Sequence, residues 1–114
     1  MLQNILVPID GSENAWKALE AARGLAEKYQ GDLVVLTVPY GKSGMMLLSM
    51  DQEVIKNDRK ELALIGNAIL EEAQKRLKDF AGNVSYKLKA GNPAQTILDQ
   101  AEAEKCDTIV IGSR

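Results

Sequence analysis

Three apolar runs of this sequence end in residues that are suited to binding a small molecule. Asp10 ends the first run, Val38 ends the second, and Gly112 ends the last and is followed by Ser113 and Arg114. A carboxylate at the position of Asp10 accepts hydrogen bonds from ribose hydroxyls or lies beside a metal ion. A glycine at the position of Gly112 lets the backbone approach a ligand closely, and a hydroxyl and a guanidinium after it suit phosphate.

The same residues also have purely structural interpretations. Asp10 has the spacing of a helix cap that pairs with Glu13, and Ser12 is a competing cap. A glycine after a buried strand often serves turn geometry, and the sequence contains neither Gly-x-Gly-x-x-Gly nor Gly-Lys-Ser/Thr. Capping and ligand binding by Asp10 are compatible, so both interpretations stand.

The elements that must position these residues alternate between strand and helix patterns. Nearly continuous apolar runs predict strands over residues 4–10, 32–38 and 107–112, and an alternating pattern predicts one over 84–90. Helical periodicity connects them, with Gly31 as the cap that ends the first helix and Asn92 and Pro93 starting the third. The order βαβαβαβ predicts an α/β fold, an open parallel sheet with helices on both faces. Ligands bind such sheets at the carboxyl ends of the strands, where the strand order reverses.

Composition excludes several classes of function. The chain of 114 residues fits one domain, and it contains no histidine and a single cysteine, Cys106. Disulfide frameworks, Cys/His metal sites and histidine-based catalytic triads are therefore excluded. The net charge is −2 without a basic cluster, and no apolar stretch approaches the ~20 residues of a membrane span. We expect a cytoplasmic protein with neither a nucleic-acid nor a membrane partner.

Two long stretches resemble the universal stress protein family. "NILVPIDGSENAWKALEAARGLAEKYQGDLVVLTV" resembles the opening of such a domain, with Pro-x-Asp-x-Ser after the first strand. "AGNPAQTILDQAEAEKCDTIVIGSR" resembles its later part, where Gly-x-Pro starts a helix and Ile-Gly-Ser-Arg leads into a nucleotide loop. The order and spacing of these motifs make the match specific. The resemblance implies one domain over residues 1–114 with a Rossmann-like fold of the adenine nucleotide alpha hydrolase type, normally with five strands in the order 3-2-1-4-5, and usually a homodimer.

The resemblance also implies a ligand and its binding residues. One branch of the family binds ATP or AMP, with Mg²⁺ held through the phosphates, and senses or regulates in the stress response. The matching positions lie at three strand ends: Pro8 and Ile9 beside the adenine, Asp10 on the ribose side, Val38 with its neighbour Thr37 at the adenine edge, and Ile111, Gly112, Ser113 and Arg114 at the start of the phosphate loop.

One departure from the family pattern leaves an alternative function open. In the ATP-binding branch the loop runs Gly, two residues, Gly, nine residues, Gly, then Ser or Thr, and Gly112 matches only the first of these glycines. The resemblance therefore predicts that the rest of the loop, a helix and a fifth strand continue the native chain. The alternative function is a universal stress protein of the non-binding branch that acts as a dimeric interaction module. Because the sequence has neither a P-loop lysine nor an evident general base, we expect at most slow ATP hydrolysis.

Overall fold

The strands and helices alternate along the chain. The structure, a computed structural model, describes residues 3–39 and 52–112. Its elements are β1 (Asn4–Pro8), α1 (Glu13–Tyr29), β2 (Asp32–Thr37), α2 (Gln52–Arg76), β3 (Val84–Leu88), α3 (Pro93–Ala103) and β4 (Thr108–Ile109). This order confirms the predicted alternation βαβαβαβ. All four strands end earlier than predicted, so Asp10, Val38 and Gly112 lie on the connections just beyond β1, β2 and β4.

The four strands form one parallel sheet in the order β3-β2-β1-β4. β1 lies in the interior of the sheet and pairs with β2 from Asn4↔Asp32 to Pro8↔Leu36. On its other side it pairs with β4 through Ile5↔Thr108 and Leu6↔Ile109. The chain leaves β1 toward β2 and later returns to the opposite side, so the strand order reverses at β1. Its carboxyl end is the switch point at which such sheets bind ligands.

Helices cover both faces of the sheet, as predicted. Alternate side chains of a strand point to opposite faces, so Ile5, Val7 and Ile9 join a core beneath α1 and α2. Leu6 faces the other way and joins a smaller cluster beneath α3, which also contains Ala101. Within the described ranges 3–39 and 52–112, no helix is long and apolar enough to cross a membrane.

Of the two residues predicted as possible N-caps of α1, the structure selects Ser12, whereas its C-cap differs from the one predicted. Ser12 is the N-cap, because its Oγ accepts a hydrogen bond from the Ala15 N–H at 3.2 Å. Asp10 accepts instead from the Ser12 N–H at 2.9 Å, a local turn that short acidic side chains favour, so the predicted box with Glu13 is wrong. At the other end the helix closes on Gln30, which has the left-handed φ of 54°, and not on Gly31.

A stacked pair of side chains joins α1 to α2. The guanidinium of Arg76 lies 4.4 Å from the centre of the Trp16 ring, a cation–π contact. Arg76 also forms an ion pair with Glu72, with 3.0 Å between Nε and Oε2. Arg23 of α1 donates to the carbonyl of Arg76 at 3.0 Å. The carboxyl-terminal part of α2 is therefore held against α1.

The third helix is fixed at both ends. Asn92 is its cap, since the Asn92 side chain accepts from the Gln95 N–H at 3.0 Å, and Pro93 is its first residue, as predicted. Beyond its far end, Glu104 forms an ion pair with Lys87 of β3 at 3.1 Å. The amide of Asn4 on β1 donates to the carbonyl of Glu104 at 3.1 Å. These contacts set the position of α3 over the sheet.

Candidate functional site

A cavity of about 190 Å³ lies at the carboxyl end of β1, between the first turns of α1 and α3. It is at the switch point of the sheet. Four segments of the chain contribute its lining, which consists of Pro8, Ile9, Asp10, Ser12, Asn14, Ala15, Val38, Pro93, Ile97, Ile111 and Gly112. Six of the nine residues predicted as binding residues are in this set: Pro8, Ile9, Asp10, Val38, Ile111 and Gly112. The structure thus brings together segments that are up to a hundred residues apart in the sequence.

Of the remaining three predicted residues, Thr37 is described by the structure and is not part of this lining. Thr37 is 1% exposed, and strand alternation turns its side chain to the face opposite that of Val38. A Cβ built on Gly66 of α2 would lie 3.5 Å from the Thr37 methyl group, which places Thr37 beneath α2. Its hydroxyl has no hydrogen-bond partner in the described part of the chain. Ser113 and Arg114 lie outside the described residues.

Asp10 lies at the mouth of the cavity, where its side chain is tied to the start of α1. Its Oδ1 accepts the Ser12 N–H, and the residue is exposed to solvent. A carboxylate oxygen accepts hydrogen bonds, as from the hydroxyl groups of a ligand. The turn therefore orients the carboxylate at the mouth of the cavity.

Gly112 is required by a close approach between two segments. A Cβ built on Gly112 would lie 2.7 Å from the carbonyl carbon of Asn14 and 3.1 Å from the Ala15 nitrogen. Real side chains do not come so close to backbone atoms, so only glycine lets the chain after β4 pass against the first turn of α1. This contact closes one side of the cavity. It also explains why residue 112 is a glycine.

The backbone of Val38 lies where the pairing of β2 ends. The last bonds of the ladder run from the Ile9 N–H to the Leu36 carbonyl at 2.8 Å and from the Lys89 N–H to the Thr37 carbonyl at 3.1 Å. Among residues 3–39 and 52–112, no hydrogen bond to the Val38 N–H or carbonyl is present. Its side chain packs on the cluster beneath α3, so the residue is held in place at the edge of the cavity.

Sequence reasoning missed the contribution of the two helices. Asn14 and Ala15 come from the first turn of α1, and Pro93 and Ile97 from the first turn and a half of α3. The start of α3 was predicted correctly, and Ile97 follows Pro93 by four residues, the spacing of one helix face. That spacing signals a shared face, but only the path of α3 across the sheet shows that this face borders the cavity.

The lining divides into a polar and an apolar part. Asp10, Ser12 and Asn14 gather at the start of α1, whereas Pro93 and Ile97 of α3 are apolar. In the part of the chain that the structure describes, no group of three or more His, Cys, Asp or Glu side chains could hold a metal ion. The arrangement suits a ligand with one flat apolar part and one part rich in hydroxyl groups.

The strand order, the parallel pairing of the strands and a cavity at the switch point define the class of protein: a Rossmann-like α/β domain. A family model, described as "Universal stress protein family", matches residues 1–114. The chain belongs to the universal stress protein family.

Individual relatives agree with this assignment. The curated Universal stress protein YxiE of Bacillus subtilis (strain 168) is 32% identical over 121 residues, covering 100% of this chain and 80% of the relative. The solved structure of the hypothetical protein MJ0577 is 26% identical with a TM-score of 0.85, covering 100% of this chain and 76% of that one.

Two solved relatives contain nucleotides. A universal stress protein in complex with cAMP is 25% identical to this chain with a TM-score of 0.68, covering 95% of this chain and 74% of that one. A universal stress protein family protein from Arabidopsis thaliana with AMP bound has a TM-score of 0.70 over 97% of this chain and 76% of that one. Its identity is 15%, so its likeness shows the fold alone.

Proposed function

We propose that this protein binds an adenine nucleotide, ATP or AMP, in the cavity at the carboxyl end of β1, and that it acts as a sensor or regulator in the stress response. One observation carries the proposal: Asp10, Val38 and Gly112, which belong to three distant segments, line one cavity at the switch point of the sheet. The relative that holds cAMP supports the choice of an adenine nucleotide.

The ribose is bound by Asp10. Ribose hydroxyls donate hydrogen bonds and carboxylate oxygens accept them, so the exposed carboxylate at the mouth of the cavity matches the sugar. The hydrogen bond from the Ser12 N–H keeps the carboxylate oriented before the ligand arrives, which lowers the entropy that binding must overcome.

The adenine edge is bound by the Val38 backbone. Adenine offers a donor and acceptors along its edge, and a backbone N–H and carbonyl match them. This role suits a residue at which the β-ladder has ended, with Pro8 and Ile9 lining the cavity beside it.

The phosphates lie on the side of Gly112. A glycine at a strand end lets the backbone come close to phosphate oxygens. The resemblance to the ATP-binding branch assigns Ser113 and Arg114 to the same loop, where a hydroxyl and a guanidinium suit phosphate. Mg²⁺, when present, is bound through the phosphates of ATP.

The test is calorimetric titration of the protein with AMP and with ATP plus Mg²⁺, for wild type, Asp10→Ala and Asp10→Asn. We expect both variants to bind less tightly, by about tenfold for a lost hydrogen bond to a charged group. Asp10→Asn retains an acceptor for the Ser12 N–H, so its loss of affinity reports the charge and not the turn. Asp79→Ala, an exposed carboxylate just after α2, is the matched control and should bind as wild type. Equal affinity of wild type and both Asp10 variants would remove Asp10 from the site.

The second candidate function is a homodimeric interaction module. It is favoured by two large apolar side chains, since Leu98 is 59% and Ile111 is 62% exposed. Sedimentation of wild type and Ile111→Glu tests it. A wild-type dimer that the substitution dissociates, together with the absence of nucleotide binding by the wild type, would favour this candidate.

A further inference from the structure

The first turn and a half of α3 forms an apolar wall of the cavity. Pro93 and Ile97 both line it, four residues apart on one face of the helix. Pro8 and Val38 line the cavity from the carboxyl end of the sheet. The space between helix and sheet is therefore bounded by two prolines and two β-branched side chains, which present stiff apolar surfaces.

The size of the cavity indicates which part of a nucleotide it encloses. Small-molecule pockets commonly measure about 300–1,000 Å³, and this one measures about 190 Å³. It thus encloses part of a nucleotide. The hydroxyls of the sugar match the polar side chains at the start of α1, and the faces of a base match the apolar wall.

We propose that Ile97, together with Pro93, forms the binding surface for one face of the purine ring, and that this contact supplies a large share of the affinity. This inference rests on the proposed function and adds α3 to the binding site. It predicts that affinity depends mainly on the base, and that the loss caused by altering Ile97 is the same with and without phosphate on the ligand.

The surroundings of Ile97 keep this surface in place. Ile97 packs on the buried cluster of Leu6, Val34, Leu36 and Ala101 beneath α3. The ion pair between Lys87 and Glu104 holds the far end of the same helix. The wall is therefore preorganised for a flat ring.

The next residue of α3 is a matched control. Leu98 is also a branched apolar residue in the same helix turn, but it is 59% exposed and does not line the cavity. Replacing Leu98 by alanine thus removes apolar surface from α3 without altering the wall.

The experiment titrates wild type, Ile97→Ala and Leu98→Ala with adenosine, AMP and ribose 5-phosphate. We expect Ile97→Ala to weaken adenosine and AMP by the same factor, at least about tenfold, because removing even one methylene from an apolar pocket has effects of this size. Binding of ribose 5-phosphate should be unchanged. Leu98→Ala should stay within about twofold of wild type for every ligand.

A second variant covers the case in which Ile97→Ala fails to fold. Ile97→Phe adds volume in place of removing it and should reduce adenosine binding by obstructing the cavity, with thermal unfolding followed by circular dichroism as the check on folding. Folded variants that bind adenosine and AMP like wild type would overturn this inference and leave the proposed function standing. Absence of binding of AMP and ATP to wild type would overturn both.

Discussion

The two ends of the sheet each have a cavity, and the larger one is not the candidate site. The cavity at the amino end measures about 410 Å³ and lies where α1 and α2 end. Its lining includes Glu27, Gln30 and Asp32, and Asp32 already accepts the Asn83 N–H at 3.1 Å. Helices present carbonyl groups at these ends, which repel anions, whereas α1 and α3 begin beside the smaller cavity. The direction of the helices and the order of the strands, and not cavity volume, identify which end of the sheet holds the candidate site.

The largest expected effect uses one glycine from each end. A Cβ on Gly112 would collide with the backbone of Asn14, and a Cβ on Gly82 would lie 2.9 Å from the Gly31 carbonyl oxygen. We expect Gly112→Ala and Gly82→Ala each to lower the free energy of unfolding by about 1–3 kcal/mol, measured by denaturant titration.

We expect the two glycine variants to differ in nucleotide affinity. Gly112→Ala displaces the segment that borders the cavity, so we expect nucleotide affinity to fall about tenfold or more. Gly82→Ala alters the opposite end and should leave affinity unchanged. Equal loss of affinity in the two variants would show that binding follows global stability, and the contrast between the ends would fail.

A smaller effect is expected at Thr37, which separates the two faces of β2. Its hydroxyl is buried without a partner in the described part of the chain, so Thr37→Val removes an unsatisfied group. We expect the free energy of unfolding to rise by about 1 kcal/mol, seen as a higher Tm. Nucleotide binding should not change, because the side chain lies beneath α2. Weaker binding by a more stable variant would return Thr37 to the site.

The smallest expected effect is at Asp107, near the amino end of β4. The hydrogen bond from the Gln3 N–H, at 2.8 Å, lowers the pKa of this carboxyl below its ordinary value of 3.8. A lowered folded-state pKa gives stability that is present above the unfolded value and is lost as pH falls through the folded value. Asp107→Asn should therefore lower Tm slightly at neutral pH, and its difference from wild type should shrink in acid below 3.8. Asp79→Asn is the control; a difference that persists unchanged in acid would contradict the role of the charge.

Much of the fold could be predicted because its signals are local. The buried runs of β1 and β2 and the Asn92-Pro93 start of α3 depend on neighbouring residues. The cap of α1 could not be decided, because Asp10 and Ser12 both have suitable side chains and only the path of the backbone selects between them. β4 ends at Ile109 although β1 continues to Pro8, so the length of β4 was not set by the local apolar run either.

The sequence predicted the site residues that lie at strand ends. It did not predict those whose place in the site depends on which face of a strand or helix they occupy. Parallel strands bring Asp10, Val38 and Gly112 to one edge wherever the helices lie, so their meeting follows from strand order. Thr37 and Val38 are neighbours in sequence, yet strand alternation sends their side chains to opposite faces. Ile97 enters the site only through the angle at which α3 crosses the sheet.

The contact between Trp16 and Arg76 allows intrinsic fluorescence to report on the packing of α1 against α2. Trp16 is the only tryptophan of the sequence, so the tryptophan emission comes from one indole, whose ring is covered by a guanidinium at 4.4 Å. Because the two residues belong to different helices, separation of α1 from α2 exposes that indole to water and shifts its spectrum. Docking of these helices can thus be followed in real time without a label.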